Sequence, residues 1–426
     1  MLVVPRSAAE FIRTSGAHGE FNTSTDTDLA YGAVSAIGSG PRALLLPTPL
    51  PKLHPLLHAS RGLQGHWRRA ALDLHGLWHA VRGRGGALAI EAAAELVEQP
   101  LPATGNTAYF LITYAPKPPT DDGADEPHAR WGELQAWLVG AGRLTPIDID
   151  VEPDELGPVR LMPQWPTDLL SDKRVVLVGT GSIGSALAHE LARAGVGMID
   201  LADPGRLRWH NLVRHTLGPR DVGRYKVEAL AAQLHERWPD TTVRDFPLSV
   251  IAHADLMRPL LDQASVVVCA ADGIASRRVV SHLARRAGKT AVLACVHMDG
   301  ELGEVLRLRP RRSEGCLLCR REHDQQTQAL DLEAGIDLDY GTGQQHRPMT
   351  TVGSDLTLVA ALAAKVTLAT LLQEAGRGEH RLAGEHVVVR LRGGLPHRPP
   401  FHGENVLDVV WSPATAPRPD CPTCQQ

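Results

Sequence analysis

What this chain does not contain narrows its class before any motif is read. It has no uninterrupted run of about 18 apolar residues, roughly the length a helix needs to cross a bilayer. Its first residues, MLVVPRSAAEFIRTSG, hold a short apolar start and none of the longer hydrophobic stretch of a secretion signal. It carries no charge excess. Its 44 Lys and Arg against 48 Asp and Glu leave a net charge of −4, which offers nothing to a nucleic acid or an anionic membrane. A cytosolic protein that engages neither is expected. Cysteine is scarce too, at six residues. Cys269 and Cys295 sit inside apolar runs, while Cys316 with Cys319 and Cys421 with Cys424 form two Cys-x-x-Cys pairs. In a reducing compartment such pairs read as a metal site before they read as disulfides.

What is present suits a globular chain of two or three domains: 426 residues, 43% hydrophobic and 22% charged, with 40 Gly and 31 Pro that imply many loops. No internal repeat is visible. Residues 1 to about 40 are small and polar and read as loosely ordered. In GHWRRAALDLHGLWHAVR, the spacing of Trp67, Ala71, Leu74, Trp78 and Val81 predicts one face of a helix. RALLLP and GGALAIEAAAELVE read as strands or buried segments, TAYFLITYAP as a strand, PKPPTDDGADEPHAR as a mobile loop, and WGELQAWLVGAG as a short amphipathic helix. A boundary is placed near residue 150, which separates an accessory domain, 1–150, from a second domain, 151–426.

From residue 173 strands and helices alternate: RVVLVG, SIGSALAHELARAG, GMIDLAD, KVEALAAQLHERWP, TTVRDFPL, ASVVVCAAD, ASRRVVSHLARRAG, TAVLACV, EVLRLRP and EHVVVRLR. This order predicts an α/β fold with a doubly wound, Rossmann-like, mostly parallel sheet, preceded by a smaller α+β domain. A polar stretch from about 320 to 349 leads into SDLTLVAALAAKVTLATLLQEAG. That segment reads as a long buried helix capped by Ser354 or Asp355; Asp355, Lys365 and Glu374 argue against a membrane span.

Gly179, Gly181 and Gly184 form G-x-G-x-x-G between a strand and a helix, the context of a nucleotide loop whose helix start offers free N–H groups to phosphate. Asp203, about 20 residues on, is placed to accept ribose hydroxyls; Asp200 competes but sits within the strand pattern. The glycines alone would fit an NAD-dependent oxidoreductase. Asn211, Arg214 and Lys226 would then have no role. An enzyme that splits the α–β bond of ATP needs such cations at the leaving pyrophosphate and a carboxylate for Mg²⁺, for which strand-end Asp272 is the candidate. Four thiolates suit a tetrahedral structural Zn²⁺ on Cys316, Cys319, Cys421 and Cys424.

The ordered set VVLVGTGSIGS, DPGRLRWHNLVRH, DVGRYKVEAL, CAADGIASRR, CLLC and CPTC resembles the ThiF/MoeB/HesA family of E1-like enzymes over about residues 160–426. The resemblance implies ATP-dependent adenylation of the C-terminal carboxylate of a ubiquitin-like protein, sulfur carrier or peptide with a small tail. Asp203 would then lie on the ribose, Asn211, Arg214 and Lys226 on the phosphates, and Asp272 on Mg²⁺, with Arg277 supporting the site. It also implies a homodimer, for which Arg160 is the candidate trans arginine, and an E2-like partner. NLVRH looks most like bacterial E1-like proteins of ubiquitin-like conjugation operons, some linked to phage defence. Departures are His215 where many members carry Gln, and Gly205 where a second acidic residue is usual. Thioester-forming members keep a nucleophilic Cys between the first Cys pair and the long helix. None is present here, so the chemistry is expected to stop at the acyl adenylate. Cys295, with His297 nearby, is the substitute to weigh against a core role. The alternative to an enzyme is an E1-like module that only presents a leader peptide.

Overall fold

The computed structural model describes residues 1–25, 32–38, 44–45, 63–103, 107–116, 132–153, 157–158, 164–329, 351–394 and 397–425. The chain divides into two compact units, Met1–Asp154 and Glu155–Gln426.

The first unit is built on a mixed sheet. Its strands lie in the order Ile149–Val151, Leu2–Val4, Gly32–Ile37, His18–Thr25, Leu63–Arg69, Tyr109–Tyr114, Leu134–Gly140, Arg143–Ile147 and Leu88–Ala89, with Leu44–Leu45 beside Gly32–Ile37. Three expectations fail here. The first 40 residues are not loosely ordered where they are described: they supply three of these strands and the helix Arg6–Thr14, which buries Ala8, Ala9 and Ile12. Trp67 is not on a helix. Leu63–Arg69 is a strand, and the helix begins at Leu72, with Leu74 and Trp78 buried. WGELQAWLVGAG is not a helix either: Leu134–Gly140 is a central strand. Leu134 and Ala136 join one core cluster while Trp137 and Val139 join another. With both faces covered, the run loses its polar alternation, and periodicity cannot separate such a short apolar strand from a helix. GGALAIEAAAELVE divides into the short strand Leu88–Ala89 and the helix Ile90–Ala94. The Pro- and Asp-rich stretch falls almost wholly outside the described residues.

In the second unit we label the strands β1 (Arg174–Val178), β2 (Met198–Ala202), β3 (Thr242–Phe246), β4 (Val266–Cys269), β5 (Thr290–His297), β6 (Leu302–Leu308), β7 (His386–Arg390) and β8 (Val409–Ser412). The main helices are α1 (Ser182–Arg193), α2 (Lys226–Arg237), α3 (Ala254–Asp262), α4 (Ile274–Arg286), α5 (Leu317–Gln326) and α6 (Gly353–Glu374). The sheet order is β3-β2-β1-β4-β5-β6-β7-β8. The first five strands are parallel and the last three pair antiparallel. This is the expected doubly wound α/β sheet. Its strands read as Val-rich runs because both faces are covered.

The chain order reverses between β1 and β4. Such a reversal opens a crevice at the carboxyl ends of the strands, where ligands of this architecture bind. Helix α6 is long and apolar enough to cross a membrane, and it is the one such helix among the described residues. It lies in the main core instead, its Leu356, Val359, Ala360 and Ala363 packed with α1 and the sheet. Its expected Ser or Asp cap is absent: Val352 holds the N-cap position without a side-chain bond. Part of the expected polar stretch, Leu317–Gln326, is helical, and residues 330–350 lie outside the described residues.

Candidate functional site

The site grows from the turn between β1 and α1. Gly179 sits at φ +89°, a left-handed conformation that favours glycine, and a Cβ there would lie 2.6 Å from the Ala271 backbone nitrogen. A Cβ on Gly184 would collide with the Gly179 carbonyl at 1.9 Å. These two glycines are therefore demanded by the protein's own packing. Gly181 is different. It precedes the first turn of α1, and a side chain there would meet open space. Its smallness leaves room for a ligand to approach the backbone. The same contact through Ala271 sets Asp272, three residues past the end of β4, beside the glycine turn.

Asp203 lies just past β2. Its Oδ2 accepts the Thr180 N–H at 2.8 Å and its Oδ1 the Gly205 N–H at 2.7 Å, so the carboxylate is pinned to the glycine turn while staying half-exposed. Asp200 is excluded as its rival: it is wholly buried, with Arg174 on one oxygen at 2.7 Å and Arg244 bridging both, at 2.7 and 3.0 Å. A Cβ on Gly205 would fall 2.8 Å from Asp203 Oδ1 and 3.1 Å from Lys226 Nζ. Glycine at this position thus lets the acid and the lysine converge.

The segment from 205 to 226 is closed on itself. Lys226 N–H donates to the Gly205 carbonyl at 3.0 Å, Leu207 exchanges backbone bonds with Gly223 and Arg224, and the Arg206 guanidinium stacks 3.8 Å from the Tyr225 ring centre. Leu207, Leu217 and Ala229 form a small core beneath it. Asn211 accepts the Arg208 N–H through Oδ1 at 2.9 Å, which orients its amide. His215 ties the segment to the glycine turn. Its Nε2–H donates to the Thr180 carbonyl at 2.8 Å, and its Nδ1 accepts the Leu217 N–H at 3.1 Å. Only neutral imidazole satisfies both bonds. Burial, with a contribution from the nearby Lys226 charge, lowers the His215 pKa to about 4 against the pull of Thr180. A glutamine amide offers the same donor and acceptor pair.

The structure thus joins Gly179, Gly184, Asp203, His215 and Lys226 through direct contacts around one turn, with Asp272 beside it. Arg214 immediately precedes the anchored His215, and Asn211 lies three residues further back. Arg160 lies outside the described residues. Thr180 went unnoticed in the sequence, since only its backbone takes part.

Behind β4, on β5 and its neighbours, lies a buried polar network. Arg277 of α4, only 4% exposed, donates to Cys295 Sγ at 2.8 Å. His297 Nε2 lies 3.1 Å from the same sulfur and 3.0 Å from Glu304 Oε2. Glu304 also takes Arg321 on both oxygens and His386 at 2.8 Å. Burial raises the Cys295 thiol's pKa, but Arg277 and then His297 outweigh it, and the net direction is down. Burial likewise opposes ionisation of Glu304, yet Arg321 holds it well below the ordinary carboxylate range. Cys269, without such a donor, is pushed by burial up to about 12. One imidazole nitrogen faces both the sulfur and the carboxylate, so this is not a relay through two ring nitrogens. Guanidinium donors already occupy the sulfur and the carboxylate, which disfavours a cation among Cys295, His297 and Glu304. Sequence reasoning missed Glu304, Arg321 and His386; for Glu304 and His386 a single polar residue inside an apolar strand was the available signal, while Arg321 stands in the polar helix α5 and gave none.

The other four cysteines converge from the start of α5 and the C-terminal tail. Cys316 and Cys421 sulfurs lie 3.5 Å apart, Cys319 and Cys424 3.7 Å, and Cys316 and Cys319 4.0 Å. Four sulfurs at about 2.3 Å from a tetrahedral ion would stand about 3.8 Å apart, so this cluster can hold a metal. The Arg418 N–H donates to Cys319 Sγ at 3.4 Å, the kind of outer contact that orients a thiolate ligand.

The sequence is also similar to known proteins. The ThiF family profile matches residues 158–395, more than half of the chain. The uncharacterized protein y4oA of Sinorhizobium fredii is 32% identical over 168 residues, which cover 36% of this chain and 28% of that protein. The sulfur carrier protein ThiS adenylyltransferase of Bacillus subtilis is 34% identical over 152 residues, 35% of this chain and 44% of that enzyme. This chain therefore matches less than half the length of either relative. Among solved structures, E. coli MccB with ATP superposes with a TM-score of 0.45 at 20% identity, covering 61% of this chain and 68% of that one. With its signature matched from the connector through β7, the chain belongs to the ThiF family.

Proposed function

We propose that this protein is an adenylating enzyme that uses ATP to activate the C-terminal carboxylate of a ubiquitin-like protein, sulfur carrier or small peptide. The observation that carries the reading is the convergence of Asp203, Lys226 and the His215-anchored segment on one glycine turn, at the point where the sheet order reverses. The substrate carboxylate is already ionised at neutral pH and needs no general base. Its oxygen attacks the α-phosphorus, the bond to the bridging oxygen breaks, and pyrophosphate leaves with that electron pair. The enzyme's part is positioning and charge neutralisation. Asp203 receives the ribose hydroxyls, Asn211, Arg214 and Lys226 meet the phosphates, and Asp272 holds Mg²⁺, which would supply further charge neutralisation. The reading stops at the acyl adenylate.

Zn²⁺ on the four cysteines would tie the tail to the sheet unit, since metal binding to such a cluster is folding energy. Trp209 and Val213 stand 70% and 80% exposed on the nucleotide segment, an apolar surface suited to a protein partner, whether the substrate tail or a second copy. Residues 1–154 are assigned the recruitment of that substrate.

The test is exchange of labelled pyrophosphate into ATP in the presence of candidate small proteins ending in glycine. Asp272→Ala should reduce exchange about 100-fold or more. Unchanged exchange in that variant would remove the assigned metal role. ATP binding with no exchange for any candidate would favour a presenting module, and tight NADH binding without ATP binding would refute the reading.

A further inference from the structure

The edge of the sheet opposite the glycine turn carries a second site. Because β6 runs antiparallel to β5, its end at Leu308 and the start of β7 at His386 lie away from the nucleotide crevice. There a cleft of about 470 Å³ is lined by Arg307, Arg309, Arg311 and Arg381 against Glu314 and Glu385, four guanidiniums to two carboxylates. Both oxygens of Glu385 are engaged by Arg307, at 2.5 and 2.8 Å. Glu314 is held through one oxygen by Arg311 at 3.1 Å, and its other oxygen is buried without a hydrogen bond. The acids therefore leave a positive excess of two.

The arginines are also set in place before any ligand arrives. Gln373 Oε1 accepts from Arg307 at 3.0 Å and Arg309 at 2.9 Å, while its amide nitrogen donates to the His380 carbonyl at 2.7 Å, which fixes its orientation. A neutral group thus holds two like charges side by side. Arg309 Nε is buried and makes no hydrogen bond, although Glu385 Oε2 lies 3.4 Å away. Burial, and then repulsion from Arg307, lowers the Arg309 pKa, the direction expected of a guanidinium short of anions. Fixed, planar guanidinium forks match tetrahedral oxyanions, and a charge of two matches a phosphate dianion.

We propose that this cleft binds a phosphate dianion, free or as a monoester, at the edge of the sheet away from the nucleotide. The site is independent of the adenylation reading. Hydrogen exchange tests it on the full chain, with inorganic phosphate, glycerol phosphate, malonate or chloride at matched ionic strength. Peptides covering 378–385 should exchange more slowly in phosphate or the monoester than in chloride, and the tighter of the two identifies the source. Arg381→Gln, a change at an exposed residue, and Arg309→Lys should each raise the half-saturating phosphate at least tenfold. Peptides covering 179–186 report separately on the nucleotide turn. Equal exchange in chloride and phosphate, an unaltered response in Arg381→Gln, or protection by malonate as strong as by phosphate would overturn the proposal.

Discussion

Two groups of charged and polar side chains lie near the carboxyl ends of the central strands, and they obey opposite rules. Around the glycine turn, Asp203, Asn211, Arg214, Lys226 and Asp272 are half-buried or exposed, in reach of water. Behind them, Arg277, Arg320, Arg321, Glu304 and Asp324 are each less than 10% exposed. There three guanidiniums face two carboxylates, and Arg277, beside Cys295, holds that thiol's pKa below its ordinary value. Exposed charges can wait for a ligand because water answers them. Buried charges must be answered by the protein itself, at a cost that only full pairing offsets. The comparison separates groups left in reach of a ligand from groups that hold the core together.

The sharpest test of this contrast is Glu304→Gln. It takes the carboxylate from both short Arg321 contacts, leaving that guanidinium the longer 3.6 Å contact to Asp324, and should cost about 3–5 kcal/mol in a urea titration, because a buried charge loses its main partner. A loss below 1 kcal/mol would mean that water reaches the network. Lys226→Ala should do the reverse. Pyrophosphate exchange should fall about 100-fold, near 2.7 kcal/mol, with a thermal midpoint close to that of the parent chain. A matching fall in stability would erase the distinction between the two groups.

His215 belongs to the exposed segment but is itself half-buried, and so sharpens the boundary. Its folded pKa of about 4 lies below the unfolded value of about 6.5, so its contribution is complete above pH 6.5 and is lost as pH falls toward 4. The unfolding free energy of the parent chain should drop by up to about 1.4 kcal/mol per pH unit more than that of His215→Gln across this window. Parallel curves would show that the imidazole accepts a proton without losing its bonds. The smallest expected effect is at Cys295. Its alkylation, followed by peptide mass analysis, should have a pH midpoint below the ordinary value of about 8.5, and Arg277→Met should raise it. A midpoint at or above that value would place a thiol, not a thiolate, beside Arg277.

The second unit was readable because its punctuation is local. Val-rich strands end in glycine or aspartate, and Gly179, Asp203 and Asp272 each fall where a strand meets a loop. The first unit offered no such marks. Leu134–Gly140 contributes to two cores at once, and Leu63–Arg69 places Trp67 in a cluster with Phe21 and Phe110, residues distant in the chain. Periodicity reports one buried face and is silent where two faces are covered.

The order of residues alone therefore determined the parallel sheet, the glycine turn, the acid that answers it and the pairing of four cysteines in two motifs, because each depends on neighbours within a few positions. Tertiary structure decided the rest. It assigned Asp200 to two arginines and Asp203 to the turn, made His215 neutral, and brought Arg277 onto Cys295. Those outcomes depend on which distant charges share a low-dielectric interior, and that is set only when the strands are placed side by side.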